Sequence, residues 1–155
     1  MDNGSVIIGG IILLIFVVPI VWVIYNSNRK SKERKKLVKD LCRDNGINVE
    51  NTLQIGNALL GMDYQNKKMF HTSLQNIEND FKVIPIDSVV SLHVLEENYT
   101  GRNIIESVVI QITTDSEKYQ IIVYDDKAEN QVVTDAKTCY HEANQWVEQV
   151  KPKLL

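Results

Sequence analysis

The chain has 155 residues, a net charge of −3 and two cysteines. Residues 29–39 carry seven basic residues and one acidic residue, whereas residues 40–155 carry ten basic and eighteen acidic residues. This acidic balance argues against nucleic acid as a partner of the larger part. Cys42 and Cys139 lie far apart in apolar helical patterns, which is typical of buried thiols rather than of a disulfide framework.

The first feature along the chain is an uncharged stretch at residues 6–25, which follows a short tail at residues 1–5. Twenty helical residues span about 30 Å, the thickness of the hydrocarbon core of a bilayer. A cleaved signal peptide would need basic residues before the stretch and an A-x-A-like site after it. The chain has neither, so the pattern predicts a single transmembrane helix at residues 6–25.

The basic run that follows indicates an orientation, because lysine and arginine near a span stay on the cytoplasmic side. We therefore expect a single-pass inner-membrane protein with its N-terminus outside and its C-terminal domain in the cytoplasm. The run either fixes this topology alone or also contacts anionic lipid headgroups. The membrane-surface candidates are Arg29, Lys30, Lys32, Arg34, Lys35, Lys36 and Lys39. Ser5 and Gly9 form a small-xxx-small pair that would allow two helices to associate as a homo-oligomer.

Residues 26–46 predict a basic juxtamembrane helix, with a short break near residues 26–28 and a stop at Gly46. The remaining residues, 47–155, predict one soluble β-rich domain. Residues 47–55 suggest a short strand, and residues 58–64 and 69–74 predict a hairpin around a polar turn. Residues 81–86 suggest another short strand, interrupted by Pro85, which is typical of an edge strand or a bend.

The three clearest strands cover residues 88–97, 104–114 and 119–124, and their short connections predict antiparallel pairing. In the first of them Val90, Leu92 and Val94 are expected on one face. A final amphipathic helix is expected at residues 135–151, with Asp135 as its N-cap and Trp146 in the core. The pattern therefore predicts an α+β fold, a meander of six or seven antiparallel strands followed by a helix.

This order of elements resembles the bacterial pleckstrin-homology-like (PH-like) domain. Residues 61–70, GMDYQNKKMF, resemble its hairpin, and residues 82–92, KVIPIDSVVSL, resemble the element that leads into a strand. The resemblance covers residues 55–152 and implies a partly open antiparallel barrel with a C-terminal amphipathic helix. It also implies a binding or scaffolding module without catalytic activity. Phosphoinositide-reading members use a basic cluster in the first hairpin, where this chain has Lys67 and Lys68 as candidate headgroup contacts.

The sequence contains no pattern typical of catalysis or of metal binding. His71, His93 and His141 are far apart, and neither paired cysteines nor a phosphate-binding glycine loop occurs. We therefore expect no enzyme, no catalytic residue, no metal and no cofactor. Two hypotheses remain: a membrane-anchored module that binds a protein partner, for example by adding a strand, or a membrane-proximal domain that senses a lipid headgroup or a small ligand.

Overall fold

The structure, a computed structural model, describes residues 3–49, 52–101, 104–128 and 134–154. The side chains of residues 3–12, 14, 24 and 26–28 lie outside this description. Contacts between Cα atoms divide the chain into two units, Met1–Lys39 and Asp40–Leu155.

The first helix, α1, covers Asn3–Asp44 and contains Pro19. It continues through residues 26–28, where the sequence suggested a break. Gly46 follows its end with a φ of +64°, and the backbone N–H of Ile47 donates to the carbonyl of Cys42 at 2.8 Å. A glycine in the left-handed conformation satisfies the last carbonyl groups of a helix in this way, so the predicted stop is confirmed.

The predicted membrane span is wrong. A span needs about 20 consecutive apolar residues, and no helix within the described residues is both long enough and apolar enough. The second half of α1 carries the seven basic residues and the one acidic residue of residues 29–39. The single-pass topology and the inner-membrane localisation, which depend on this span, are also wrong. Ser5 and Gly9 lie outside the described side chains, and their role in self-association stays a prediction.

The second unit contains two antiparallel sheets, so the α+β class and the antiparallel meander are confirmed. The first sheet has the order β1-β2-β3-β4 and the second has the order β5-β6-β7. Within the described residues the two sheets remain separate, without a closed barrel. The strands are β1 Thr52–Ile55, β2 Ala58–Asp63, β3 Lys68–Ser73, β4 Lys82–Pro85, β5 Val89–Asn98, β6 Ile105–Thr114 and β7 Lys118–Asp125.

The last helix, α2, covers Ala136–Val150, and the Asp135 carboxylate accepts the backbone N–H of Thr138 as its N-cap. Both the helix and its predicted cap are therefore confirmed. One side of α2 is buried against a core built from both sheets, because its apolar residues recur at helical spacing. Its buried residues are Cys139, Ala143, Trp146, Val147 and Val150. Trp146 thus lies in the core, as expected.

A direct backbone contact joins the turn between β1 and β2 to β7. The N–H of Asn57 donates to the carbonyl of Val123 at 3.1 Å. Val123 lies at a bulge, because Val108 pairs with Tyr124 whereas Val109 pairs with Ile122. Gly56 precedes Asn57 with a φ of +52°, and a Cβ atom there would lie 1.9 Å from the carbonyl oxygen of Val123. This close approach requires glycine at position 56.

Candidate functional site

The two hairpin lysines that the sequence offered as headgroup contacts both have partners within the protein. Lys67 forms an ion pair with Asp87, with Nζ 3.0 Å from Oδ2. Lys68 donates from Nζ to the backbone carbonyl of Asn45 at 3.1 Å. Both ammonium groups are therefore engaged in contacts with other parts of the chain, and a headgroup would have to compete with them.

Asp63 is the acidic residue of the same hairpin, and its carboxylate makes its hydrogen bonds within the protein. Its carboxylate is buried and accepts the backbone N–H of Asn48 at 2.6 Å and that of Asn66 at 3.0 Å. The side-chain amide of Asn66 donates a third bond at 2.6 Å. These bonds, first of all the one from the Asn66 side chain, lower the pKa of Asp63. An ionised carboxylate thus holds the hairpin turn against the segment after α1.

The basic run of α1 belongs to the first unit. Its seven predicted membrane-surface residues are all exposed, and Arg29 forms an ion pair with Glu33 at 2.9 Å. Contact of this run with a membrane surface stays a prediction.

The three histidines lie on different elements: His71 on β3, His93 on β5 and His141 on α2. Within the part of the chain that the structure describes, no group of three or more His, Cys, Asp or Glu residues could hold a metal ion. Cys42 and Cys139 are free and buried, as expected. Burial raises the pKa of the Cys42 thiol to about 11, so this thiol stays protonated near neutral pH.

The second sheet exposes an apolar row on the face that points away from the core. The register pairs Leu95 with Val109 and Val109 with Ile122, so the three side chains lie side by side across the strands. Leu95 is 43% exposed and Ile122 is 54% exposed, and Val109 between them is partly buried. Cross-strand neighbours of this kind lie about 5 Å apart. We call Leu95, Val109 and Ile122 the outer row.

The outer row lies between two polar rows on the same face. One consists of His93, Gln111 and Gln120, and the other of Glu97, Ser107 and Asp125. The second of these rows is acidic, and Ser107 donates from its hydroxyl to Glu97 at 3.2 Å. The register therefore brings two acidic pairs of the sequence, Glu96-Glu97 and Asp125-Asp126, to one end of the sheet.

The carboxylate of Asp126 accepts two hydrogen bonds at this acidic end. The hydroxyl groups of Tyr99 and Tyr124 both donate to its carboxylate, at 2.9 and 3.2 Å. The bond to Asp126 is the main cause that raises the pKa of Tyr99, so this hydroxyl stays a donor at neutral pH. Lys127 forms an ion pair with Glu106 nearby. Glu97 and Asp125 thus lie in the row of the register that is next to the outer row.

Sequence reasoning did not identify the outer row, because it treated each strand separately. The sequence did contain an indication of it. Leu95, Val109 and Ile122 are apolar, although the alternation along each strand places them on the side where polar residues are expected. Only the register shows that the three residues are adjacent. Comparison of the chain with protein-family models, with curated proteins and with solved structures finds no match.

Proposed function

We propose that this protein is a non-catalytic protein-interaction module with PH-like architecture, and that it binds its partner through the outer face of β5–β7. The observation that carries the proposal is the outer row of Leu95, Val109 and Ile122. Apolar side chains that are exposed next to one another on a rigid sheet gain free energy when a partner covers them. The order of a four-stranded sheet, a three-stranded sheet and a helix supports the PH-like resemblance.

The charges beside the outer row favour one chemical class of partner. Glu97 and Asp125 lie next to the row, and residues 40–155 have an excess of acidic over basic residues. A partner segment with apolar side chains followed by lysine or arginine would match both features, because complementary charges guide association and fix its register. We infer that the partner presents such an apolar and basic segment.

The alternative of headgroup sensing through Lys67 and Lys68 has less support. Asp87 and the carbonyl of Asn45 already engage these lysines, and a bound headgroup would have to displace both contacts. A phosphate site usually gathers several basic groups that are free to bind.

Photo-crosslinking in cells tests the proposal with the full-length protein. A photoreactive amino acid replaces Ile122 in one variant and Lys137, an exposed residue of α2, in a matched control. We expect Ile122 to crosslink to one protein at an apolar and basic segment, and Lys137 not to. The double substitution Leu95→Ser and Val109→Ser should abolish the crosslink, and added salt should weaken it. Equal labelling from both positions, or a crosslink that survives the double substitution, would refute the proposal.

A further inference from the structure

A cleft of about 400 Å³ lies between the first sheet and β7. Its walls include His71 of β3, Lys82 of β4 and Ile121 of β7, and Asp80 and Asp125 also line it. Sites for small molecules start at about 300 Å³ and combine apolar walls with a few polar groups. The cleft meets both conditions, because Ala58, Ile121 and Ala128 supply its apolar part.

His71 lines the cleft and has a buried ring nitrogen, which a ligand reaches once the ring turns towards the cleft. Its Nε2 atom is buried and has no hydrogen-bond partner within the described residues. The ring packs edge-on against Tyr119, with the centroids 6.1 Å apart. The pKa of His71 is lowered to about 4, mainly by burial and to a smaller extent by the charge of Lys82. The ring is therefore neutral near pH 7. A buried polar atom without a partner is unfavourable, and a ligand that bonds to Nε2 removes this cost.

The charged groups around His71 are of both signs. Lys82 lies opposite His71 in the register of β3 and β4, while Asp80 and Asp125 contribute two carboxylates to the same lining. Lys82 would attract a simple anion, but the two carboxylates would repel it. The carboxylates would attract a simple cation, but Lys82 would repel it. A molecule with both charges would be stabilised by both.

We propose that the cleft binds a small zwitterion of the amino-acid class, with its carboxylate at Lys82 and His71 and its ammonium group at the aspartates. The neutral imidazole donates one hydrogen bond to the carboxylate through Nε2, and Lys82 adds a charge-assisted bond. The cleft shares Ile122 and Asp125 with the outer face of β5–β7, but His71 and Lys82 lie outside that face, so their variants test the cleft separately from the proposed partner surface.

The test uses the full-length protein with ¹⁵N-labelled histidine and follows the ring nitrogens of His71 by NMR. Each common amino acid is titrated in turn, with acetate and methylammonium as probes of a single charge. We expect at least one amino acid to shift the His71 signals in a saturable manner, while His93 and His141 stay unchanged. Lys82→Gln should weaken this binding about tenfold. Lys118→Gln is the matched control, since Lys118 is an exposed lysine of β7 outside the lining.

Three results would overturn the proposal. The first is that no amino acid shifts the His71 signals at concentrations up to about 10 mM. The second is that acetate or methylammonium alone binds as tightly as the best amino acid, which would exclude a site for a zwitterion. The third is that Lys82→Gln and Lys118→Gln have the same effect. Because Lys82 is exposed, its substitution tests the site without disturbing the core.

Discussion

Lys68 donates a hydrogen bond from Nζ to the backbone carbonyl of Asn45, 3.1 Å away. The two residues are far apart in the sequence, and the bond ties the hairpin of β2 and β3 to the end of α1. The last carbonyl groups of a helix lack partners within the helix, and a lysine beside them satisfies one and complements the helix dipole. A lysine that the sequence offered for headgroup binding thus has a structural role.

Substitution of the two hairpin lysines should separate these roles. We expect Lys68→Met to lower the free energy of unfolding by about 1 kcal/mol, because it removes a charge-assisted bond to a carbonyl group. Lys67→Met should change it by no more than about 0.5 kcal/mol, because its ion pair with Asp87 is exposed. Urea unfolding of both variants measures the difference. Equal losses would mean that the bond to Asn45 does not stabilise the fold.

Asp63 should make the stability depend on pH in acid. Its pKa is lower in the folded protein than its ordinary value of 3.8. Its contribution is therefore complete above about pH 4 and is lost as the pH falls through the folded pKa. Asp63→Asn should lower the melting temperature at pH 7 by several degrees and flatten the acid limb of the stability curve. Asp115→Asn, at an exposed aspartate, is the control, and an equally flat curve for this variant would contradict the prediction.

His71 should also make the stability depend on pH, in a range above the one in which Asp63 acts. The pKa of His71 is about 4 in the folded protein, whereas its ordinary value is 6.5. As the pH falls, the unfolded chain therefore binds a proton at this histidine before the folded protein does. Stability is therefore full above about pH 6.5 and decreases as the pH falls towards 4, by a total on the order of 2–3 kcal/mol. Asp80, which favours the charged ring, and Lys82, which opposes it, are the charged groups that act on His71.

Chemical unfolding at a series of pH values from about 4 to 8 measures this dependence. His71→Phe should remove the loss of stability between pH 6.5 and 4, because a phenyl ring does not bind a proton. His93→Gln, at an exposed histidine, should retain it. A His71→Phe curve with an undiminished slope in this window would show that another group is responsible.

The turn at Gly56 should tolerate no side chain. Gly56→Ala places a Cβ atom 1.9 Å from the carbonyl of Val123 and strains a backbone with a φ of +52°. We expect a loss of about 3 kcal/mol or more in the free energy of unfolding. Gly101→Ala is the matched control, since Gly101 has a φ of +76° but no atom of the described residues lies within 4 Å of its added Cβ, and it should cost about 1 kcal/mol. Similar losses would indicate that backbone strain alone accounts for both.

Most of the second unit could be predicted from local patterns. The alternation of β6 placed Val108, Ile110 and Ile112 on one face, and all three are buried. The same argument failed at Val90, which is 65% exposed. The register of β5 shifts between Val89 and Ser91, so Val90 does not share the face of Leu92. A bulge depends on the pairing with a neighbouring strand, and the pattern within one strand does not reveal it.

The candidate sites were less predictable for a related reason. The outer row and the cleft are each formed by residues from different strands, and a sequence without known pairings does not show which residues become neighbours. The pattern placed His71 within a strand, but the burial of its Nε2 without a partner among the described residues depends on how the strands pack together. The span at residues 6–25 failed differently, because its length, its apolar content and the basic run after it are properties of the sequence alone and did not depend on which strands pair.

The bulge at Val123 adds one residue to β7 that has no partner in β6. Removing Val123 would restore a regular ladder and would leave Tyr124 opposite Val108 and Asp125 opposite Ser107, so the later side chains would keep their faces. The deletion would instead remove a buried valine and the carbonyl group that accepts the N–H of Asn57. The extra residue of β7 therefore serves the contact with the first sheet and not the pairing with β6.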